Sequence, residues 1–255
     1  MQVLLTNDDG IFAPGIAAME TALRPWADVM VVAPSMEQSG VSQSITFLRP
    51  LVGHAVRQDG HLRGYAVDGT PADCVKLGVT QFCANRPDVV ISGINGGLNA
   101  GINVLYSGTV GGAMEGSLFG IPSIAVSLEF DDHADYGRAA QLVMPLVRKI
   151  ISSRDESCTL FNINIPTHAL TEQEPEIVVV PIGMNRYGHH FVKRVDPKQR
   201  TYYWATNDPE PEPTPHDTDI SALRRGAITV TPMHLDLTRT TSVETMEGWD
   251  WQADA

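Results

Sequence analysis

Residues 3–34 read VLLTNDDGIFAPGIAAMETALRPWADVMVVAP, and the texture of this stretch changes three times. Val3 to Thr6 is an apolar run too short for a helix, and it suits a buried strand. Asn7-Asp8-Asp9-Gly10 is turn chemistry. Pro14 then opens a helix through Arg24, with Ile16, Met19 and Leu23 at helical spacing. Val29 to Ala33 is a second buried strand, stopped by Pro34. Strand, helix and strand in this order make a β-α-β unit, for which a parallel sheet is the economical reading.

The same alternation continues outward. Thr46 to Val67 holds short strand-like pieces around Asp59-Gly60, the signature of a hairpin. Thr70 is placed to cap a helix, with Pro71 in its first position and Asp73 in its first turn. Asp88 to Ser92 reads as a buried strand, followed by a long glycine-rich loop to about Thr109 and a helix near Val110 to Phe119. Pro122 to Ser127 is a strand, and Tyr136 to Ser152 a helix whose Ala139, Leu142, Val143, Leu146, Val147 and Ile150 share one side. Leu160 to Ile165 is the next strand.

After Pro166 the chain turns to strand-like pieces at Ile177–Val180, Phe191–Val195 and Tyr202–Ala205, with prolines at 209, 211, 213 and 215 between them and a short helix over Thr218–Arg225. Ile228 to Thr231 is the last expected strand. The expectation is a single α/β domain: a doubly wound, mostly parallel core over residues 1 to about 165, then a β-rich extension from about 166 to 255.

A net charge of −12 argues against binding a nucleic-acid polymer, which calls for a basic stripe. An acidic protein that handles phosphate must offset repulsion locally, with a metal ion or aligned backbone N–H groups. Cys74, Cys83 and Cys158 form no Cys-x-x-Cys pair and suggest neither a disulfide framework nor a zinc site. No run approaches the roughly 18 apolar residues of a membrane span, and MQVLLTNDDG has no basic leader. These features lead us to expect a cytoplasmic protein with no membrane contact. His189-His190 lacks partners at metal-ligand spacing and reads as an arm or surface pair.

Ligands of a doubly wound sheet sit beyond the carboxyl ends of its strands. Three polar loops follow strands directly, at residues 7–10, 35–44 and 92–109, so they should converge. The first offers adjacent carboxylates, Asp8 and Asp9, whose mutual repulsion a hard cation would relieve. The second offers hydroxyls, of which Ser39 in Ser39-Gly40 is the most turn-like. The third, SGINGGLNAGINVLYSGTVGGAMEG, interleaves glycines with Asn95, Asn99 and Asn103. Its Ser107-Gly108-Thr109 precedes a helix, where hydroxyls and free N–H groups suit an anion. It matches neither a Walker loop nor G-x-G-x-x-G, and the first turn, TNDDG, does not suit a dinucleotide-dependent oxidoreductase.

The motifs TNDDG, AP…QSGVSQSIT, GTPADCVKLG, SGINGGLNAG and YSGTVGGAMEG, in this order, resemble the SurE family of survival-protein 5′-nucleotidases, as does TDISALRRGAITVTP near the C-terminus. The resemblance implies a Rossmann-like core with a C-terminal β arm exchanged between subunits in homodimers or homotetramers. It implies one Mg²⁺ or Mn²⁺ per subunit on Asp8, Asp9, Ser39 and Asn95, and phosphate contacts from Asn99, Ser107, Gly108 and Thr109. It also implies a metal-dependent phosphomonoesterase acting on nucleoside 5′-monophosphates, with 3′-nucleotides and short polyphosphate as further substrates. Asp8 is the expected catalytic residue, either attacking phosphorus or orienting the water that does. A non-catalytic nucleotide- or metal-binding module using the same loops is the competing reading.

Overall fold

The computed structural model describes residues 1–185, 188, 190–206 and 216–251. Its main sheet has nine strands in the order β3-β4-β2-β1-β5-β6-β7-β11-β8. Six are parallel: β1 (Gln2–Thr6), β2 (Asp28–Pro34), β4 (His61–Val67), β5 (Val89–Gly96), β6 (Ser123–Leu128) and β7 (Leu160–Ile165). β3 (Gly53–Gln58) runs antiparallel on the edge, and β11 (Ile228–Met233) antiparallel to β7, with β8 (Ile177–Val179) beside it. The expected mostly parallel, doubly wound α/β sheet is therefore present.

The continuous apolar runs become strands because both sheet faces are covered. Every residue of β6 and of β7 is buried. Helix α1 (Pro14–Leu23) and helix α4 (Tyr136–Ser153) close one face, where Ile16, Met19, Val143 and Val147 share a core with Leu5, Ile91 and Ile163. Helix α2 (Pro71–Leu77) and helix α3 (Gly108–Leu118) close the other, over Leu4, Val32, Val90 and Ala125. Thr70 caps α2 as expected: its hydroxyl accepts from Asp73 N at 3.1 Å while Asp73 Oδ2 accepts from Thr70 N at 3.0 Å. Asp59 and Gly60, at φ +51° and +81°, make the tight turn between β3 and β4, the backbone that a two-residue hairpin needs.

The structure departs from the expected reading in three places. The glycine-rich loop begins later, because β5 runs on to Gly96. After a register shift, Asn95 and Gly96 pair with Ser127 and Leu128, so the neighbouring strand overrides the low strand propensity of glycine. A 3₁₀ turn over Gly101–Leu105 shortens the irregular stretch further. Finally, helix α6 (Thr240–Glu247) had no apolar stripe to announce it, and none of its residues is buried.

The C-terminal third returns to the sheet as β8, helix α5 (Asp219–Arg224) and β11. Between them, β9 (Phe191–Val195) and β10 (Thr201–Ala205) pair only with each other, with Phe191, Tyr203 and Trp204 exposed. His189 and the proline-bearing residues 209, 211, 213 and 215 lie outside the described residues. Among the described residues, no helix is long and apolar enough to cross a membrane.

Gly15, in the first turn of α1, sits directly on β5. A side-chain carbon there would collide with the Ile94 carbonyl and lie 3.2 Å from the Tyr136 ring. Gly15→Ala is expected to cost about 1–3 kcal/mol, the scale of overpacking, and to lower the urea midpoint. An unchanged midpoint would mean that α1 can lift off β5 without cost.

Candidate metal and phosphate site

β1 lies between β2 and β5, so the chain winds away in both directions from the β1–β5 pair. That reversal opens a crevice at the carboxyl ends of the two strands, and all three polar loops meet there. Gln38 N donates to Asp8 O at 2.7 Å, joining the second loop to the first. Gly96 N donates to Asp9 Oδ2 at 3.2 Å, joining the third to the first. Ser42 N donates to Tyr106 O at 2.9 Å and Ser42 Oγ to Leu105 O at 2.8 Å, joining the second to the third. A side chain at Gly111 would strike the Ser42 carbonyl, so the second loop lies flush against α3.

Asp8 is buried, and Thr109 holds both its oxygens. Thr109 N donates to Oδ2 at 3.0 Å, and the Thr109 hydroxyl donates to Oδ1. Gly108 makes the approach possible, since a side-chain carbon there would lie 2.9 Å from Asp8 Cβ. Burial pushes the Asp8 carboxyl up to about 6, against the pull of the Thr109 hydroxyl and with a further push from Asp9. Burial also raises Asp9, where the Gly96 N–H opposes the shift and Glu37 adds to it.

Among the described residues no basic side chain pairs with either carboxylate, and no three His, Cys, Asp or Glu side chains gather as a metal cluster. A cation here would therefore depend on mixed oxygen donors. Such donors are at hand. Ser39 follows Gln38, whose backbone is tied to Asp8. Asn95 Nδ2 donates to Gly97 O at 2.6 Å, which leaves its Oδ1 able to accept or ligate. Thr6 Oγ1 and Asn7 Oδ1, at the end of β1, and Ser92 Oγ, within β5, are buried without a protein partner. Two raised, uncompensated carboxylates with a hydroxyl and an amide oxygen form an all-oxygen donor set, which fits a hard divalent cation.

The expected phosphate residues divide by what they already do. Ser107 caps α3, its Oγ accepting from Val110 N at 3.1 Å, so its own proton is left to donate. Gly111 N donates to Ser107 O at 3.0 Å. Thr109 spends both its donors on Asp8, so it orients the carboxylate as the protein stands. Among the described residues the Gly108 N–H has no protein acceptor, which makes it the free donor of this helix start. Asn99 is buried, with Nδ2 donating to Ser127 Oγ at 2.9 Å.

Several residues at the site were not expected from the sequence as metal ligands or phosphate contacts. Asn162 Nδ2 and Asn164 Nδ2 donate to Asn99 O at 2.7 and 3.1 Å, and Asn99 N donates to Asn164 Oδ1 at 2.8 Å. Two asparagines two apart in LFNINI were a usable signal, because buried amides need partners. Asp219 is fully buried and accepts from Gly101 N and Gly183 N, each at 2.7 Å. Tyr136 opens α4 and lies over Gly96, where a side-chain carbon would be 2.7 Å from its hydroxyl. Glu37 Oε1 accepts from Ser39 Oγ at 2.6 Å.

Residues 3–189 match the family described as survival protein SurE. A protein from Rhodopirellula baltica named 5′-nucleotidase SurE is 48% identical over 98% of this chain and 99% of its own length. One of the same name from Heliobacterium modesticaldum is 45% identical over 98% of this chain and 92% of its own. The crystal structure of the SurE protein from Aquifex aeolicus superposes with a TM-score of 0.85 at 38% identity, covering 97% of this chain and 98% of that one.

The raised Asp8 carboxyl makes stability depend on pH when no metal is present. Its pKa is about 6 folded against 3.8 for the free side chain, so the folded state binds the proton more tightly and stability falls as pH rises between those values. A shift of this size corresponds to roughly 3 kcal/mol. In chelator, urea midpoints should drop from pH 4 to pH 7, and Asp8→Asn should flatten that slope. An equal slope in the variant would show that Asp8 is not its source.

Proposed function

The chain belongs to the SurE family, and on that footing we propose that it is a divalent-metal-dependent phosphomonoesterase that releases phosphate from nucleoside 5′-monophosphates. The observation that carries the reading is the adjacent pair Asp8-Asp9, without a basic partner among the described residues, with Asp8 held against the start of helix α3 by Thr109. The name 5′-nucleotidase SurE, borne by relatives up to 48% identical, supports the substrate class. 3′-Nucleotides carry the same monoester group, and short polyphosphate offers a terminal phosphoryl group on an anhydride oxygen, so both are further candidates.

Asp8, Asp9, Ser39 and Asn95 would hold one Mg²⁺ or Mn²⁺. Bound there, the cation supplies charge to offset the phosphate and lowers the pKa of a bound water. The Ser107 hydroxyl and the Gly108 N–H, at the positive end of α3, take phosphate oxygens. Asn99 lines the same loop, its backbone locked by Asn162 and Asn164. Thr109 keeps Asp8 in a single orientation, so the carboxylate needs no reorganisation as the reaction proceeds. Asp8 is the residue nearest the reacting phosphorus in this reading. Direct attack by its carboxylate would leave a trappable phosphoaspartate, whereas orienting a water would leave none.

The same reading makes the protein cytoplasmic, with no nucleic-acid polymer and no membrane as partner. It takes the β9–β10 arm as the contact between subunits of a homodimer or homotetramer. An isolated two-stranded ribbon is marginal in water, and exposed Phe191, Tyr203 and Trp204 gain by being covered.

Phosphate release should be measured on a panel of 5′- and 3′-nucleotides and polyphosphate, with Mg²⁺, with Mn²⁺ and with chelator. Chelator is expected to abolish release, and activity that survives it refutes the metal site. Asp8→Asn should lower kcat by at least about 10²-fold, as loss of a charge-stabilising group does. Full activity in that variant removes Asp8 from the mechanism.

A further inference from the structure

A hydroxyl that binds a cation does so through an oxygen lone pair, and its single proton must then find another acceptor. Binding to a cation also makes that proton more acidic and its hydrogen bond stronger. Glu37 provides such an acceptor for Ser39. Its Oε1 accepts from Ser39 Oγ at 2.6 Å, within the range of a charge-assisted O–H···O⁻ bond. The two side chains flank Gln38, whose N–H is bonded to Asp8 and whose carbonyl lies close against the start of α3. Gln38 N donates to Asp8 O at 2.7 Å, and its carbonyl lies 3.0 Å from where a side-chain carbon of Gly108 would be. The pair is thus tethered next to Asp8 by its shared neighbour, although Glu37 and Ser39 themselves are exposed.

We infer that Glu37 is a positioning residue for Ser39. Its carboxylate takes the hydroxyl proton and turns the Ser39 oxygen toward the cation held by Asp8 and Asp9. The inference rests on the metal-site reading above and adds a residue that touches neither cation nor substrate. Such outer partners commonly set metal affinity by 10- to 100-fold. Two other roles for Glu37 make different demands. As a direct ligand, or as a distant negative charge, it would act whether or not Ser39 is present.

The test is Mn²⁺ affinity of the full chain by titration calorimetry, without substrate, for wild type, Glu37→Ala, Glu37→Gln, Ser39→Ala and the double variant Ser39→Ala/Glu37→Ala. Glu37→Ala should weaken Mn²⁺ binding about tenfold. Glu37→Gln keeps an acceptor oxygen and should stay within about threefold of wild type, on the same scale. The double variant should bind no more weakly than Ser39→Ala alone, the mark of two residues acting as one unit. Losses that multiply in the double variant, or Glu37→Gln falling as far as Glu37→Ala, overturn the inference in favour of a ligand or charge role. Wild-type affinity in Glu37→Ala also overturns it. Failure of the metal-site reading looks different: wild type takes up no Mn²⁺, or Asp8→Asn binds it as tightly as wild type. Both exposed positions leave the core untouched, and equal melting temperatures confirm that folding is not being read.

Discussion

The carboxyl edge of the sheet is organised around a single buried acid. Asp8 lies just past the end of β1, where no basic side chain among the described residues pairs with it and the start of α3 meets its carboxylate. The helix dipole and the Thr109 donors offset part of the desolvation, and the raised pKa measures how much is left over. That residue of unbalanced charge sets the other requirements. Position 108 has to be glycine-small for the helix to come so close, and position 111 has to be small for the second loop to lie against it. Removing Asp8 would leave the junction of β1, α3 and the two outer loops without its centre.

The α/β alternation was legible because the inner strands, such as β1, β6 and β7, are covered on both faces, so their residues form unbroken apolar runs. The cap of α2 was legible because Thr70-Pro71 carry its chemistry locally. Asp8, Asp9 and Ser107 stood out as candidates for the same reason, each lying in a short polar segment after a strand or before a helix, whereas Asn95, inside β5, was named as a ligand through the family resemblance. What could not be read depends on partners far away in the chain. β5 reaches Gly96 only because β6 lies beside it, and nothing local in Ser-Gly-Ile-Asn-Gly announces that pairing. Thr109 looked like a phosphate donor, yet its two donors are met by an acid 101 residues earlier. Tyr136 reaches the site only because α1 and α4 pack side by side over β5.

Beneath the loops lies a polar scaffold drawn from the second half of the chain. Asn162 and Asn164 spend their amides on the backbone of Asn99 rather than on each other, so a strand of the core fixes the height of the glycine-rich loop. A buried amide is costly unless satisfied, and satisfying it confines the loop to one position. The flexible composition of that loop and its fixed place in the structure are therefore compatible: glycine permits the path, and the asparagines select it.

Asp219 closes a loop of another kind. It accepts from Gly183, and a side-chain carbon at Gly183 would lie 3.2 Å from the Thr218 hydroxyl, so the chain leaves the body and re-enters it at one point. The β9–β10 ribbon between those two residues is spliced in, topologically, like an insertion into a finished domain. Such a segment can lengthen, shorten or change its sequence while the strand order and the carboxyl edge stay as they are. The geometry around Asp8 is thereby insulated from whatever happens along that ribbon.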